Sequence, residues 1–314
     1  MIKAENRDYI EDLSYVNAED FLHDISYGGK LYKIFDENFI YRGHSTDEYE
    51  LTSFAQRSDS FFDRYGYRKE ITKEELYVEN TELLQTLNEY MYLERFFKKC
   101  DESKLFIPEV RIMRETMPWN LKGFTFFLEE RSWLPQELHE LAALAQHYGV
   151  PTRLIDWTQD INVAIYFAVT GVIYKINNKN KYTENEAINK RLNDLSQHYV
   201  ERNKEKDEKK HRIEIWALDK RIYLDHIKDI PLRIIHPRYH DNGNLGAQKG
   251  VLTYWEIKKP IKKDKHKGLV PILEWKDEKT LDEHITDFLK NKKTPTKSYL
   301  LCCFPNNWKI FIVY

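Results

Sequence analysis

No stretch of this chain approaches the ~18 uninterrupted apolar residues that an ordinary membrane-spanning helix requires, so no spanning segment is expected. The start, Met1-Ile2-Lys3-Ala4-Glu5-Asn6, lacks the apolar core of a secretory signal, which reads as a cytoplasmic protein. Cysteine is nearly absent: Cys100, Cys302 and Cys303 are the whole set. An odd count argues against a disulfide framework, and neighbours on a strand point to opposite faces, so Cys302 and Cys303 do not converge on one metal. No metal site is expected. An excess of charge of one sign is missing too. Lys+Arg number 49 and Asp+Glu 51, leaving -2, so no global field recruits nucleic acid or an acidic membrane. Also missing are GxxxxGK[ST], GxGxxG after a strand, HExxH and GxSxG. His139-Glu140 is followed by Ala143 where a zinc helix needs its second His. Glycine is scarce, 11 in 314 residues, so those at turns carry more weight.

What is present is a charged fraction of 32% with abundant Tyr (21) and Phe (16), the composition of a well-solvated surface around an aromatic-rich interior. The length suits one large domain or two modest ones. The first forty residues read as helix, loop and then a strand through Phe39-Ile40-Tyr41. A helical pattern runs from Lys73 to about Lys99, and a second opens near Pro135 and closes at Gly149. This second helix carries Leu141, Leu144, Ala145 and Tyr148 on one face. A strand over Thr152–Trp157 leads to Thr158 as cap of a third helix, with Ile161, Ala164, Ile165 and Ala168 facing inward. Residues 175–212, dense in Lys, Asn and Glu, read as a solvated insertion. Strands are expected at Ile213–Leu218, Leu232–Ile235, Gln248–Ile257, Leu269–Trp275, Tyr299–Phe304 and Ile310–Tyr314. Helices are expected near Lys220–Lys228 and Leu281–Lys290. Helices come first and strands mostly later, which favours an α+β fold over regular βαβ alternation. The simplest organisation is one domain over 1–314, with an N-terminal helical segment at 1–36 and the insertion at about 175–212.

The densest concentration of demanding side chains is Leu144-Ala145-Gln146-His147-Tyr148-Gly149-Val150-Pro151-Thr152-Arg153-Leu154-Ile155-Asp156-Trp157-Thr158. A turn that aims polar groups from one end of a core is where sites are commonly built. Alternation puts Thr152, Leu154 and Asp156 on one face and Arg153, Ile155 and Trp157 on the other. If the first face is buried, Asp156 needs a partner, and Arg42 is a candidate; the pair is either architectural or part of a ligand site. His147 either bonds a backbone carbonyl at the helix end or belongs to the site.

Two further places add to it. Tyr41-Arg42-Gly43-His44-Ser45 ends a strand, where the five-donor fork of Arg42 can hold a phosphate or a carboxylate. Gly43 permits a turn or a close ligand, and His44 adds a donor. The plainer alternative is an Arg paired with a carboxylate at the edge of the core. Gln248, Gly250, Leu252, Tyr254 and Glu256 share one face of a later strand, with Gly250 marking either a close approach or a bulge. The run Lys258, Lys259, Lys262, Lys263, Lys265 and Lys267 reads as a solvated loop, although it could meet a phosphate backbone.

Together Tyr41-Arg42-Gly43, the His147–Thr158 block and the Ala164-Ile165-Tyr166-Phe167-Ala168 helix resemble the FRG-domain family, known by its [FY]RG and HYGxPTRLLDWT motifs. Gln248-Lys249-Gly250-Val251 is similar to the family's late Q-x-G-[VF] motif, while Asn244 stands where an arginine is expected. The resemblance covers roughly residues 35–257 without the insertion. A second-level resemblance is to ADP-ribosyltransferases, which implies a split mixed or antiparallel sheet with flanking helices and NAD as substrate. On that resemblance Arg42 holds the NAD phosphates or ribose, and Tyr148 or Trp157 stacks on nicotinamide. Gly43, His44, His147, Thr152, Arg153 and Thr158 complete the implied cofactor-binding set. Gln248 stands where those enzymes carry a glutamate and is neutral, so the resemblance leaves Asp156, Glu256 or the acceptor to supply the negative charge. The implied role is a toxin or antiphage effector that modifies RNA, DNA or protein, with an antitoxin as possible partner and no membrane contact. The competing class is a non-catalytic nucleotide-binding or sensor module.

Overall fold

The computed structural model describes residues 10–15, 18–47, 49–57, 82–115, 132–179, 213–238, 248–258, 261–264, 268–271, 277–292 and 308–313. In chain order these form β1 (Ile10–Tyr15), α1 (Ala18–Ile25), α2 (Lys30–Ile34), β2 (Phe39–His44), α3 (Glu82–Glu102) and α4 (Arg111–Glu115). There follow β3 (Ser132–Trp133), α5 (His139–His147), β4 (Ile155–Thr158), α6 (Ile161–Lys179), β5 (Ile213–Asp219) and α7 (Arg221–Asp225). The remaining elements are β6 (Leu232–Ile235), β7 (Gly250–Trp255), β8 (Ile257–Lys258), β9 (Ile261–Asp264), β10 (Gly268–Pro271), α8 (Leu281–Lys292) and β11 (Trp308–Val313). The fold is α+β, with mostly antiparallel strands flanked by helices.

Local chemistry explains the best-defined boundaries. Gly149 adopts φ +82 and closes α5: its N–H bonds to the Gln146 carbonyl at 2.9 Å and the Val150 N–H to Ala145 at 3.0 Å. That pair of bonds is the glycine-ended helix stop. The expected cap of the third helix is corrected by two residues. Asp160 is the cap, its Oδ1 accepting from the Asn162 N–H at 3.0 Å, while Thr158 Oγ1 accepts from the Asp160 N–H at 3.1 Å. Residues 73–81 of the expected long helix lie outside the described residues, as does the expected strand Tyr299–Phe304. The N-terminal expectation is corrected at Ile10–Tyr15, a strand whose partner is β11 at the far end of the chain. Pairing with so distant a segment leaves no local signature. Helix α6 continues to Lys179, into the segment read as an insertion; 180–212 lie outside the described residues.

The chain divides into two compact units, one of residues 1–50, 158–222 and 294–314, the other of 51–157 and 223–293. In the first, strands lie in the order β1-β11-β5-β2. β1/β11 and β5/β2 are antiparallel and β11/β5 parallel. One face packs on helices through Phe21, Leu31, Tyr41, Ala164, Ala168, Ile215 and Ala217. Contact there is close. A Cβ at Gly43 would lie 2.0 Å from the Ala164 carbonyl oxygen, and one at Gly171 would lie 2.7 Å from Ser45 Cβ.

In the second unit, β4, β7 and β6 are neighbours, β3 pairs with β8, and β9 with β10. Its core gathers Tyr90, Leu93 and Phe97 from α3, Trp133 and Leu134, Leu141 and Ala145 from α5, and Leu252 and Tyr254 from β7. Tyr148, expected on the inward face of α5, is exposed and tilts against Phe96, centroids 6.0 Å apart. Tyr148 is the cap residue and has itself left helical geometry, at φ -89 and ψ 13. Among the described residues, no helix is long and apolar enough to cross a membrane, and no His, Cys, Asp and Glu group gathers to hold a metal.

Candidate functional site

Strand β2 presents its even-numbered residues on the face away from α6. Arg42 stands opposite Trp216 of β5, and His44 opposite Glu214, in direct cross-strand register. The side chains join in a chain of bonds. The Arg42 Nε–H donates to His44 Nε2 at 2.9 Å. His44 Nδ1 lies 3.1 Å from Glu214 Oε2, which also accepts from Trp216 Nε1 at 2.8 Å. His44, Glu214 and Trp216 are buried, whereas Arg42 is half-buried. Tyr49 packs its ring edge to face with that of His44, centroids 5.8 Å apart. The opposite face explains Gly43. With the Ala164 carbonyl where a Cβ would stand, the packing of α6 on β2 requires this glycine. Thr158 pairs with Tyr41 across β2 and β4, and burial pushes the Tyr41 hydroxyl upward, aided by Asp36 and Asp160.

In the second unit the polar block is sorted by burial in a way that reverses one expectation. Asp156 is exposed, its Oδ1 accepting from Gln146 Nε2 at 2.6 Å, while Gln146 Oε1 accepts a short bond from Thr152 Oγ1. The buried ion is Arg153. Its Nε and Nη2 donate side by side to the two oxygens of Glu89 at 2.9 and 3.0 Å, and Nη2 donates again to Glu82 at 3.0 Å. Glu89 also accepts from Trp133 Nε1 at 2.7 Å. Burial works against the Arg153 charge, but Glu89 and Glu82 outweigh it and hold the guanidinium charged. Burial pushes the Glu82 carboxyl up, and the pull of Arg153 does not cancel it. Among the described residues, Arg153 Nη1 has no hydrogen-bond partner. Trp157 is also interior, with Nε1 donating to Thr253 Oγ1 at 2.7 Å. Of the two rings expected to stack on a ligand, the exposed one is Tyr148; His147 beside it is exposed as well.

Motif and geometry now coincide over one segment, and the family model of the FRG domain matches residues 37–177. Residues 37–177 resemble an FRG domain. No curated protein and no solved structure matches the chain. The matched span takes in the packing of Gly43 on Ala164, the Gly149 stop and the Arg153 clamp. The Tyr41-Arg42-Gly43 motif thus packs directly on the Ala164–Ala168 helix.

The late residues lie beyond the FRG match. Gln248 is in a turn, Lys249 takes φ +47, and β7 begins only at Gly250. Glu256 follows the end of that strand, so Gln248 and Glu256 do not share a continuous strand face as the alternation implied. Left-handed backbone at Lys249 breaks the pleat. The Glu256 carboxylate accepts a short bond from Arg233. The residues that sequence reasoning missed are Glu82, Glu89, Glu214, Trp216 and Thr253. Glu82 and Glu89 are seven apart and so share a helix face, but nothing separates them from the other glutamates of α3. Glu214 carried a readable signal, a lone carboxylate inside the apolar run Ile213–Leu218.

Proposed function

We propose that this FRG protein binds NAD and acts as an ADP-ribosyltransferase, a cytoplasmic toxin or antiphage effector that modifies RNA, DNA or protein and is restrained by an antitoxin. The observation that carries the reading is the setting of Arg42, held through Nε by His44 on β2. An end-on phosphate clamp uses Nη1 and Nη2, and the Nε bond to His44 fixes the plane of that fork. In this reading Arg42 grips the NAD phosphates or ribose, and loss of nicotinamide leaves an oxocarbenium-like ribosyl centre, whose stabilising negative charge comes from a carboxylate of the chain or from the acceptor. An ADP-ribosyltransferase-like split sheet belongs to the same proposal.

The test is transfer of label from radiolabelled NAD to macromolecules in cell lysate. Transfer that Arg42→Ala abolishes supports the enzyme; no transfer by the folded wild-type protein overturns it. One set of observations favours the second reading, a non-catalytic nucleotide-binding or sensor module. Gln248 is neutral, Glu256 is engaged by Arg233, and Asp156 lies exposed against Gln146. Nucleotide binding without transfer, lost in Arg42→Ala, distinguishes that module.

A further inference from the structure

We infer that Glu214, a residue outside the FRG match, is a positioning residue for Arg42 and acts through His44. The functional half of this inference rests on the reading of Arg42 as the phosphate-binding fork. The structural half stands alone.

The proton can be located by donor inventory. An arginine Nε always carries hydrogen, so at 2.9 Å His44 Nε2 has to accept. A neutral ring with an accepting Nε2 carries its proton on Nδ1, and that proton points to Glu214 Oε2 at 3.1 Å. The carboxylate therefore selects the tautomer, and the tautomer supplies the acceptor that holds Arg42. Trp216 fixes the carboxylate by donating to the same oxygen at 2.8 Å. Register makes the device rigid: His44 faces Glu214 and Arg42 faces Trp216 across one antiparallel pair. Both Glu214 and His44 are at least nine-tenths buried. A carboxylate in so dry a position is costly to retain for stability alone. An imidazole whose lone-pair nitrogen must face an arginine gives that carboxylate a specific task. The logic matches that of a carboxylate which fixes ring and tautomer of a working histidine, except that here the working group is a guanidinium.

The experiment uses the full chain with 15N-labelled histidine and arginine. Long-range 15N–1H spectra report which His44 nitrogen bears the proton, and the Arg42 Nε–H resonance reports whether that bond persists. The wild type is expected to show the Nδ1–H tautomer and a slowly exchanging Arg42 Nε–H. A wild-type His44 protonated on Nε2 overturns the inference without any variant. Glu214→Gln keeps an oxygen able to accept from both His44 and Trp216, so it should retain both signatures. Glu214→Leu should lose the single tautomer and expose the Arg42 Nε–H to exchange at least tenfold faster. An unchanged Arg42 signal in folded Glu214→Leu overturns the inference. If that variant fails to fold, Glu214→Ala provides the same test: its Arg42 Nε–H should exchange at least tenfold faster, and an unchanged rate overturns the inference. NAD titration by calorimetry supplies the functional arm. Affinity should fall tenfold or more in Glu214→Leu and stay within threefold of wild type in Glu214→Gln. If the wild type binds no NAD, the proposed function fails while the spectra still decide the positioning role.

Discussion

Two arginines from one family's motifs sit in opposite kinds of surroundings. Arg153 is buried and spans two carboxylates on α3, Glu82 and Glu89. Arg42 is half-buried on β2 and bonds to an imidazole, with the carboxylate one residue further along the chain of bonds. The first arrangement knits a helix to the segment that enters β4. The second orients a cation at a surface through a partner that carries no charge of its own in the required tautomer. Residue type alone therefore says little about surroundings: one guanidinium is clamped between buried carboxylates and the other is half-buried against an imidazole.

The largest expected effect tests the architectural half. Arg153→Ala leaves Glu82 and Glu89 buried without their cation, and losing one partner of a buried pair costs about 3–5 kcal/mol. Denaturant unfolding should show a loss of that size; a loss below about 1 kcal/mol would make Arg153 dispensable and erase the contrast. Next comes Gly43→Ala, whose added Cβ would meet the Ala164 carbonyl at 2.0 Å. Forced repacking of α6 on β2 should cost about 1–3 kcal/mol, measured the same way. A neutral result would return Gly43 to the role of admitting a ligand.

Arg42→Ala should change stability by about 1 kcal/mol or less, while removing NAD binding and label transfer. A melt as damaged as that of Arg153→Ala would show that both arginines are structural. The smallest effect concerns His139, whose Nε2 lies 2.9 Å from the Tyr254 hydroxyl. Burial holds its protonation below the ordinary value of 6.5. A group whose folded value is depressed contributes stability above the unfolded value, and loses it as pH falls through the folded one. Unfolding midpoints should thus decline from pH 7 toward pH 5, and His139→Gln should flatten that decline. An equal slope in the variant would remove His139 from the titrating set of the second unit.

Some of the local structure around the candidate site was legible in the sequence, and the remainder failed for identifiable reasons. The Gly149 stop was readable because a left-handed helix end is a local requirement. So was the small-residue face of α6, because Ala164 and Ala168 repeat at helical spacing. The strand at Ile10–Tyr15 was not, since its partner β11 lies some three hundred residues away. The shared strand face of Gln248 and Glu256 was not legible, because one left-handed residue, Lys249, ends the alternation that linked them. Glu214 was visible as an odd carboxylate in an apolar strand, but its partner was not.

By itself the sequence determined the family motifs, the α+β class and the Gly149 stop of α5, because these follow from backbone geometry and nearest neighbours. Tertiary structure alone decided that Arg153 is buried while Asp156 is exposed, and that Gly43 answers to a helix. It also decided that Arg42 is steered by His44 and Glu214. Alternation states which residues share a face; only the packing of another element states which face loses its water, and burial is what turns a charged side chain into a clamp.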